Sequence, residues 1–298
     1  MSINDISSLE WGHRKPGDFM ETMVGNASIL GEFTIKDGVK SKLQVPIFDA
    51  TLVYGTDICT WNPQSSAEIT EKEVSVNDRN WQFQNCKKVL QNTYRSEYLK
   101  KGQHNAETLD QEFKDWVFTR FADQAAADAV TYAATQITTE LAADADVIDQ
   151  ALVLANLTDV TKVIAELEKV YLAASLDLKK ALQGGMKNSY EPKLYVSPNV
   201  MSYFQVAYNK EFTTVYSDGE RVTPRLHGMQ VMAWDGLADS DVIMAQPSNL
   251  WLITDDFNDI RDIDMEYDKK TNTDNIWGQM LLNFSYGLGD RIVYGKGA

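Results

Sequence analysis

An α+β fold is predicted by three features of the sequence. A long helical stretch without Pro or Gly runs from Thr108 to about Ala143, further helical stretches follow it, and alternating strand-like runs lie towards both ends. Thr108 is placed to cap the long helix, with Gln111 three residues on to complete a capping box. Asp110 and Glu112 put negative charge in its first turn, where the helix dipole favours it. Leu109, Phe113, Trp116, Val117 and Phe121 recur at three- and four-residue spacing and form an apolar stripe. Trp116 and Phe121 are expected to face a core between this helix and a sheet. Ala125, Ala129, Tyr132, Ala133, Ile137 and Leu141 continue the stripe with smaller side chains, which predicts close approach of other backbone. At about 1.5 Å per residue such a helix spans roughly 50 Å. That is longer than globular helices usually run, so a kink or a split is expected.

The first 28 residues are polar and carry the breakers Gly12, Pro16, Gly17 and Gly25. They read as an extended arm with one short helical piece near Asp18–Val24. A hairpin is predicted next: Ile29–Ile35, a turn at Asp37-Gly38, and Val39–Phe48. A longer excursion spans Leu52 to about Gln84, broken at its polar tip by Tyr54-Gly55 and Trp61-Asn62-Pro63. Its return limb, EITEKEVSVNDRNWQFQN, alternates apolar and polar residues. Such a ribbon gains little stability alone and makes physical sense if it lies on a neighbouring subunit.

A short amphipathic helix is expected in Lys87–Lys101, and Gly102 ends it. After the long helix, Thr158–Leu182 reads as a second helix with Thr158 as its cap, stopped by Gly184-Gly185. Leu194–Val196 reads as a buried strand. Ser197-Pro198 places a cap and a first-turn proline at the start of a third helix, Asn199–Lys210. Strands are predicted at Val222–Leu226, Met229–Trp234, Val242–Gln246, Asn249–Thr254, Ile263–Tyr267, Trp277–Tyr286 and Ile292–Tyr294.

The net charge of −15 makes phosphate neutralisation a poor mode of action, because nucleic-acid binding needs clustered Lys and Arg. Cys59 and Cys86 are the only cysteines and form no C-x-x-C, which argues against a disulfide framework or a zinc site. The N-terminus lacks the apolar core of a secretory signal, and no apolar run is long enough to predict a membrane span.

Motifs for chemistry are absent. There is no G-x-S-x-G and no H-E-x-x-H. Gly12 and Gly17 have the outer spacing of a phosphate loop, but Asp18 stands where Lys belongs. Gly287-Leu288-Gly289 lacks the third glycine and the following helix of a dinucleotide fingerprint. His13, His104 and His227 have no ligand spacing. The run Asp255, Asp256, Asp259, Asp262 and Asp264 lacks the glycine and terminal glutamate of a calcium loop and reads as a solvated face. Asp268–Gln279 fails the same pattern, with Lys270 at a ligand position. Glu71 and Glu73 share one face of a strand and could do acid–base work, but exposed strand positions explain them more cheaply. No catalytic, cofactor-binding or metal-ligating residue is assigned, and no enzyme activity or cofactor is expected.

The order of elements is arm, long hairpin excursion, short helix, long helix, then a compact α/β part. With it go VTKVIAELEKVY (160–171), LYVSPNVMSYFQVAYNKE (194–211), Gly228-Met229-Gln230-Val231 followed by Asp235-Gly236-Leu237, and the closing YGLGDRIVYGKGA (286–298). This texture, with Val45-Pro46 at the base of the hairpin, resembles the major capsid protein of tailed bacteriophages, the Hong Kong-97-type fold. The resemblance covers nearly the whole chain. It implies an N-terminal arm (1–28), an extended loop with its base (29–86), a peripheral domain carrying the long spine helix (87–155 with 256–286), and an axial domain (156–255 with 287–298). It also implies a homo-oligomer of hexamers and pentamers forming an icosahedral shell in the virion, assembled in the host cytoplasm. Such a shell encloses double-stranded DNA without sequence-specific binding and without a membrane, alongside portal and decoration proteins. The 28-residue arm leaves no room for a fused scaffold, so a separate scaffolding protein is expected. The same fold would serve a cellular nanocompartment shell; a hydrolase using the acidic run or carboxylate pairs is the alternative from another class.

Overall fold

A computed structural model describes residues 29–51, 66–86, 111–148, 152–183, 191–212, 225–255, 264–268, 270–271 and 273–297. The arm, the hairpin tip, the short helix expected at Lys87–Lys101 and most of the acidic run lie outside the described residues, as do His13, His104 and Cys59.

One helix dominates. α1 (Gln111–Ala143) runs 33 residues as a single helix and is not split. The reason lies in its surroundings. Its second half buries Ala126, Ala129, Val130, Ala133, Ala134, Ile137 and Leu141 in one core with residues from two sheets. The alanines are what allow both to come close. The side chains of Trp116 and Phe121 lie outside the described residues.

The first sheet has five strands: β1 (Thr34–Lys36), β4 (Asn77–Cys86), β10 (Leu250–Thr254), β11 (Asp264–Asp268) and the long β12 (Thr273–Tyr286). Leu250, Leu252, Leu282, Phe284 and Tyr286 join the core around α1. The second sheet has six strands in the order β5-β13-β9-β6-β8-β7. These are β5 (Val153–Leu154), β6 (Lys193–Val196), β7 (Arg225–Leu226), β8 (Met229–Ala233), β9 (Asp241–Ala245) and β13 (Ile292–Gly297). Its central strands are buried on both faces, which is why they read as continuous apolar runs. Tyr195, Ile243 and Ala245 face α1. Leu194, Val196, Val242 and Met244 face a second core, built with α2 (Val163–Ala173), α3 (Leu176–Gln183) and α4 (Pro198–Phe212).

Ser197 caps α4 as its position predicts: its Oγ accepts from Val200 N–H at 3.1 Å and donates to Asp239. Ser197→Ala should therefore cost about 1–2 kcal/mol, measurable as a lower urea midpoint with an unchanged slope.

Two local predictions fail. The hairpin over residues 29–48 does not form. Leu30–Glu32 is a 3-10 turn that buries Leu30, and β1 pairs in parallel with β10, Thr34 opposite Trp251. Asp37-Gly38 does turn the chain, with Gly38 at φ 78°, but Gly38 N–H donates to Asp255 O rather than closing a hairpin. The helix expected over Thr158–Leu182 is two. Thr158 does not cap it; Asp159 accepts instead from the amide and hydroxyl of Thr161, and α2 begins at Val163. It breaks at Ala174 (ψ 143°), where Ser175 Oγ accepts from Leu178 N–H and restarts the chain as α3. Gly184-Gly185 lies outside the described residues.

Candidate assembly surfaces

Two strands leave the body as a ribbon. β2 (Lys42–Thr51) and β3 (Ser66–Ser75) pair antiparallel with each other alone, from Lys42↔Ser75 to Thr51↔Ser66. The return limb is therefore not one strand. It breaks at Val76, whose N–H donates to Ser41 O, and continues as β4, which pairs with β12 from Asn77↔Leu282 to Cys86↔Thr273. The first half belongs to the ribbon and the second to the five-stranded sheet.

The base of the ribbon seats on the body through apolar contacts. Val39 and Val74, with Leu43, Val45 and Val76 beside them, pack on Trp251 and Ile253 of β10. Polar contacts surround this patch. Asn283 donates to Ser75 O, Asn77 donates to Tyr132 OH at 3.1 Å, and the Arg79 guanidinium lies 3.4 Å from the Tyr132 ring centroid. Glu71 and Glu73 sit on the solvent side, and Glu73 pairs with Lys42 across the ribbon. They are ordinary exposed strand residues; a surface pair of this kind contributes little to stability.

Lys72 is the exception on this ribbon. It shares the inward side with Val74 and Val76, and its Nζ is buried 3.3 Å from the Tyr286 ring centroid without a hydrogen bond. Around it, Ser285 Oγ donates to Glu140 at 2.6 Å and Tyr286 OH donates to Asp144 at 2.6 Å. Burial pushes the Lys72 amine below its ordinary pKa, although Glu140 and Asp144 pull it back. Burial pushes the Glu140 carboxyl up, against the Ser285 hydrogen bond and the Lys72 charge. The Tyr286 hydroxyl is raised by the same burial and by its bond to Asp144, and stays protonated. None of these five residues is singled out by a motif. One cue was present: a lysine standing in register with two valines on the apolar side of a strand.

A second exposed region lies at the α2–α3 corner. Leu172 and Leu176 are 69% and 67% exposed on either side of the break. Beside them Tyr171 stacks on His227 at 4.7 Å, and His227 Nε2 lies 3.1 Å from Glu168 Oε1. His227 and Gly228 both have positive φ in the β7–β8 turn, and the Tyr171 and Glu168 contacts hold that turn against α2. His227 thus serves a turn.

Among the described residues no three His, Cys, Asp or Glu side chains are grouped to hold a metal ion. No helix among them is long and apolar enough to cross a membrane.

No family model matches the sequence, and no curated protein sequence does either. Solved structures do match. The satellite phage P4 procapsid including size determination (Sid) protein aligns at TM-score 0.60 and 11% identity, over 94% of this chain and 90% of that one. The capsid of a native GTA particle aligns at TM-score 0.61 and 12% identity, over 92% and 90%. A virus-like particle from Pyrococcus furiosus aligns at TM-score 0.52 and 11% identity, over 95% and 97%. Each likeness covers at least nine-tenths of both chains. The chain has the Hong Kong-97-type capsid fold.

Proposed function

We propose that this chain is a major capsid protein whose copies assemble into an icosahedral shell enclosing double-stranded DNA in a phage virion. The observation that carries the reading is a whole-chain likeness to subunits of capsids and of a virus-like particle. The ribbon supports it, since its two strands leave the body paired only to each other. A net charge of −15 suits a wall that surrounds a polyanion without binding it. The division into arm (1–28), extended loop and base (29–86), peripheral part (87–155 with 256–286) and axial part (156–255 with 287–298) belongs to the same proposal. So do portal, decoration and separate scaffolding partners, and an entirely structural, non-enzymatic role.

Electron microscopy of the purified protein tests it. Closed shells are expected, and a monodisperse monomer under all conditions would overturn the reading. The likeness to a virus-like particle keeps a nanocompartment shell as the second reading. Nuclease-protected DNA inside native particles separates the first from the second. If a separate scaffold sets curvature, the chain alone should give shells of mixed size, because heterologous contacts do not by themselves choose a closure.

Deleting Trp61–Glu68 at the ribbon tip should leave the circular dichroism spectrum and melting temperature near wild type while abolishing shells in sedimentation. Residues 61–65 lie outside the described residues, and the expectation rests on the polar sequence of the tip. A lost fold, or shells forming as before, would count against it.

A further inference from the structure

Among the described residues the ribbon meets the body at one apolar joint, and Lys72 is its least favourable component. The residues beside it on the inward side are valines, and the surface they meet is Trp251 and Ile253. A methionine at 72 would satisfy such a site. The ammonium instead sits out of water with a ring face and no hydrogen-bond acceptor. Cation–π attraction offsets part of that cost, but an ammonium carries three donors and here satisfies none by hydrogen bonding. Apolar replacement of a buried charge is commonly neutral or stabilising.

We propose that the Lys72 joint is a poised hinge: the buried ammonium opposes seating of the β2–β3 ribbon, so the ribbon leaves the body more readily than its apolar contacts alone would allow. The use of such a hinge, delivering the ribbon to a second copy of the chain, rests on the shell reading; the hinge itself does not. Once displaced, Lys72 and Glu140 regain water, and the carboxylates of Glu140 and Asp144 are left to Ser285 and Tyr286.

The charged groups facing Lys72 set a pH dependence. α1 presents Glu140, with Asp144 and Asp146 just beyond its end, and β12 presents Tyr286. β10 offers no ionisable side chain, and on the ribbon itself Glu71, Glu73 and Lys42 stand on the solvent side or are exposed. Seated, Lys72 loses its proton at a lower pH than it does displaced, so raising the pH through that window favours the seated state. Seated, Glu140 holds its proton to a higher pH than it does displaced, so lowering the pH through its window favours seating too. Displacement is greatest between the two windows.

The test measures a distance on unassembled full-length subunits. Spin labels go on Gln44→Cys in the ribbon and Thr135→Cys on α1, both exposed, with Cys59 and Cys86 replaced by serine. The wild-type background should show a seated and a displaced distance at neutral pH. Lys72→Met should lower the displaced-to-seated ratio about tenfold or more. Alkaline pH should lower it in the wild type and not in the Met variant, a response that plain packing would not produce. Lys42→Met, on the exposed side, should leave the ratio unchanged; Lys72→Leu repeats the test should the Met variant precipitate. An equal or larger displaced fraction in Lys72→Met, or a single seated distance in the wild type, overturns the proposal. Micrographs of the same preparations judge the shell reading separately.

Discussion

Trp234→Ala is expected to remove about 3–5 kcal/mol of folding free energy, the cost of truncating a fully buried large aromatic side chain. Trp234 is at zero exposure in the core where α1 meets the sheets. Its ring stands edge-on to Phe33 at 5.4 Å and to Tyr195 at 5.5 Å. Its Nε1–H donates to Val130 O on α1 at 3.2 Å, and its own N–H donates to Val196 O on β6 at 2.8 Å. One residue therefore ties α1 to the six-stranded sheet and to the segment around Phe33. Chemical denaturation of the two variants checks this. Trp234→Phe should lose much less than the alanine variant, because it keeps most of the packing and gives up mainly the hydrogen bond to Val130. Equal midpoints for wild type and Trp234→Ala would mean that this core is not what joins the layers.

Gly236→Ala is expected to cost about 2–5 kcal/mol, the sum of positive-φ strain and overpacking. Gly236 sits at φ 88°, and a methyl there would lie 2.6 Å from Thr131 Cα on α1. The obstacle is helix backbone, so neither side can yield cheaply. Gly38 is the comparison. Its φ is 78°, but nothing lies within 4 Å of where its methyl would go. Gly38→Ala should therefore show only the conformational cost, about 1–2 kcal/mol. Melting temperatures of the two variants separate the contributions, and equal losses would show that the close approach at Thr131 is easily relaxed. Trp234 and Gly236 occupy one turn against one helix, so a double variant should not be additive.

Much of this molecule is written locally. The α+β class, the spine helix, the Ser197 cap and the buried strands around Leu194, Val242 and Leu252 are legible because each depends on a period or a cap within a few residues. The alanines of α1 announced close backbone, and Gly236 against Thr131 is one such approach. The break at Ala174 was locally signalled as well, by Ser175 three residues before Leu178, but the apolar stripe continues through it and masks the cap.

Pairing is what the sequence left open. Alternation says that residues 68–85 are strand; it does not say that the first half joins β2 and the second half joins β12, some two hundred residues on. Ile29–Ile35 and Val39–Phe48 make a plausible hairpin, yet β1 takes a parallel place beside β10 because Leu30 and Phe33 are drawn into the core around α1. The joint at Lys72 is of the same kind. Its five residues come from three segments and meet only because the ribbon crosses the end of β12 beside the last turns of α1. Side-chain period determines which face of an element is buried. Which partner covers that face, and what charge is trapped beneath it, is decided by long-range closure of the chain, where no short-range regularity operates.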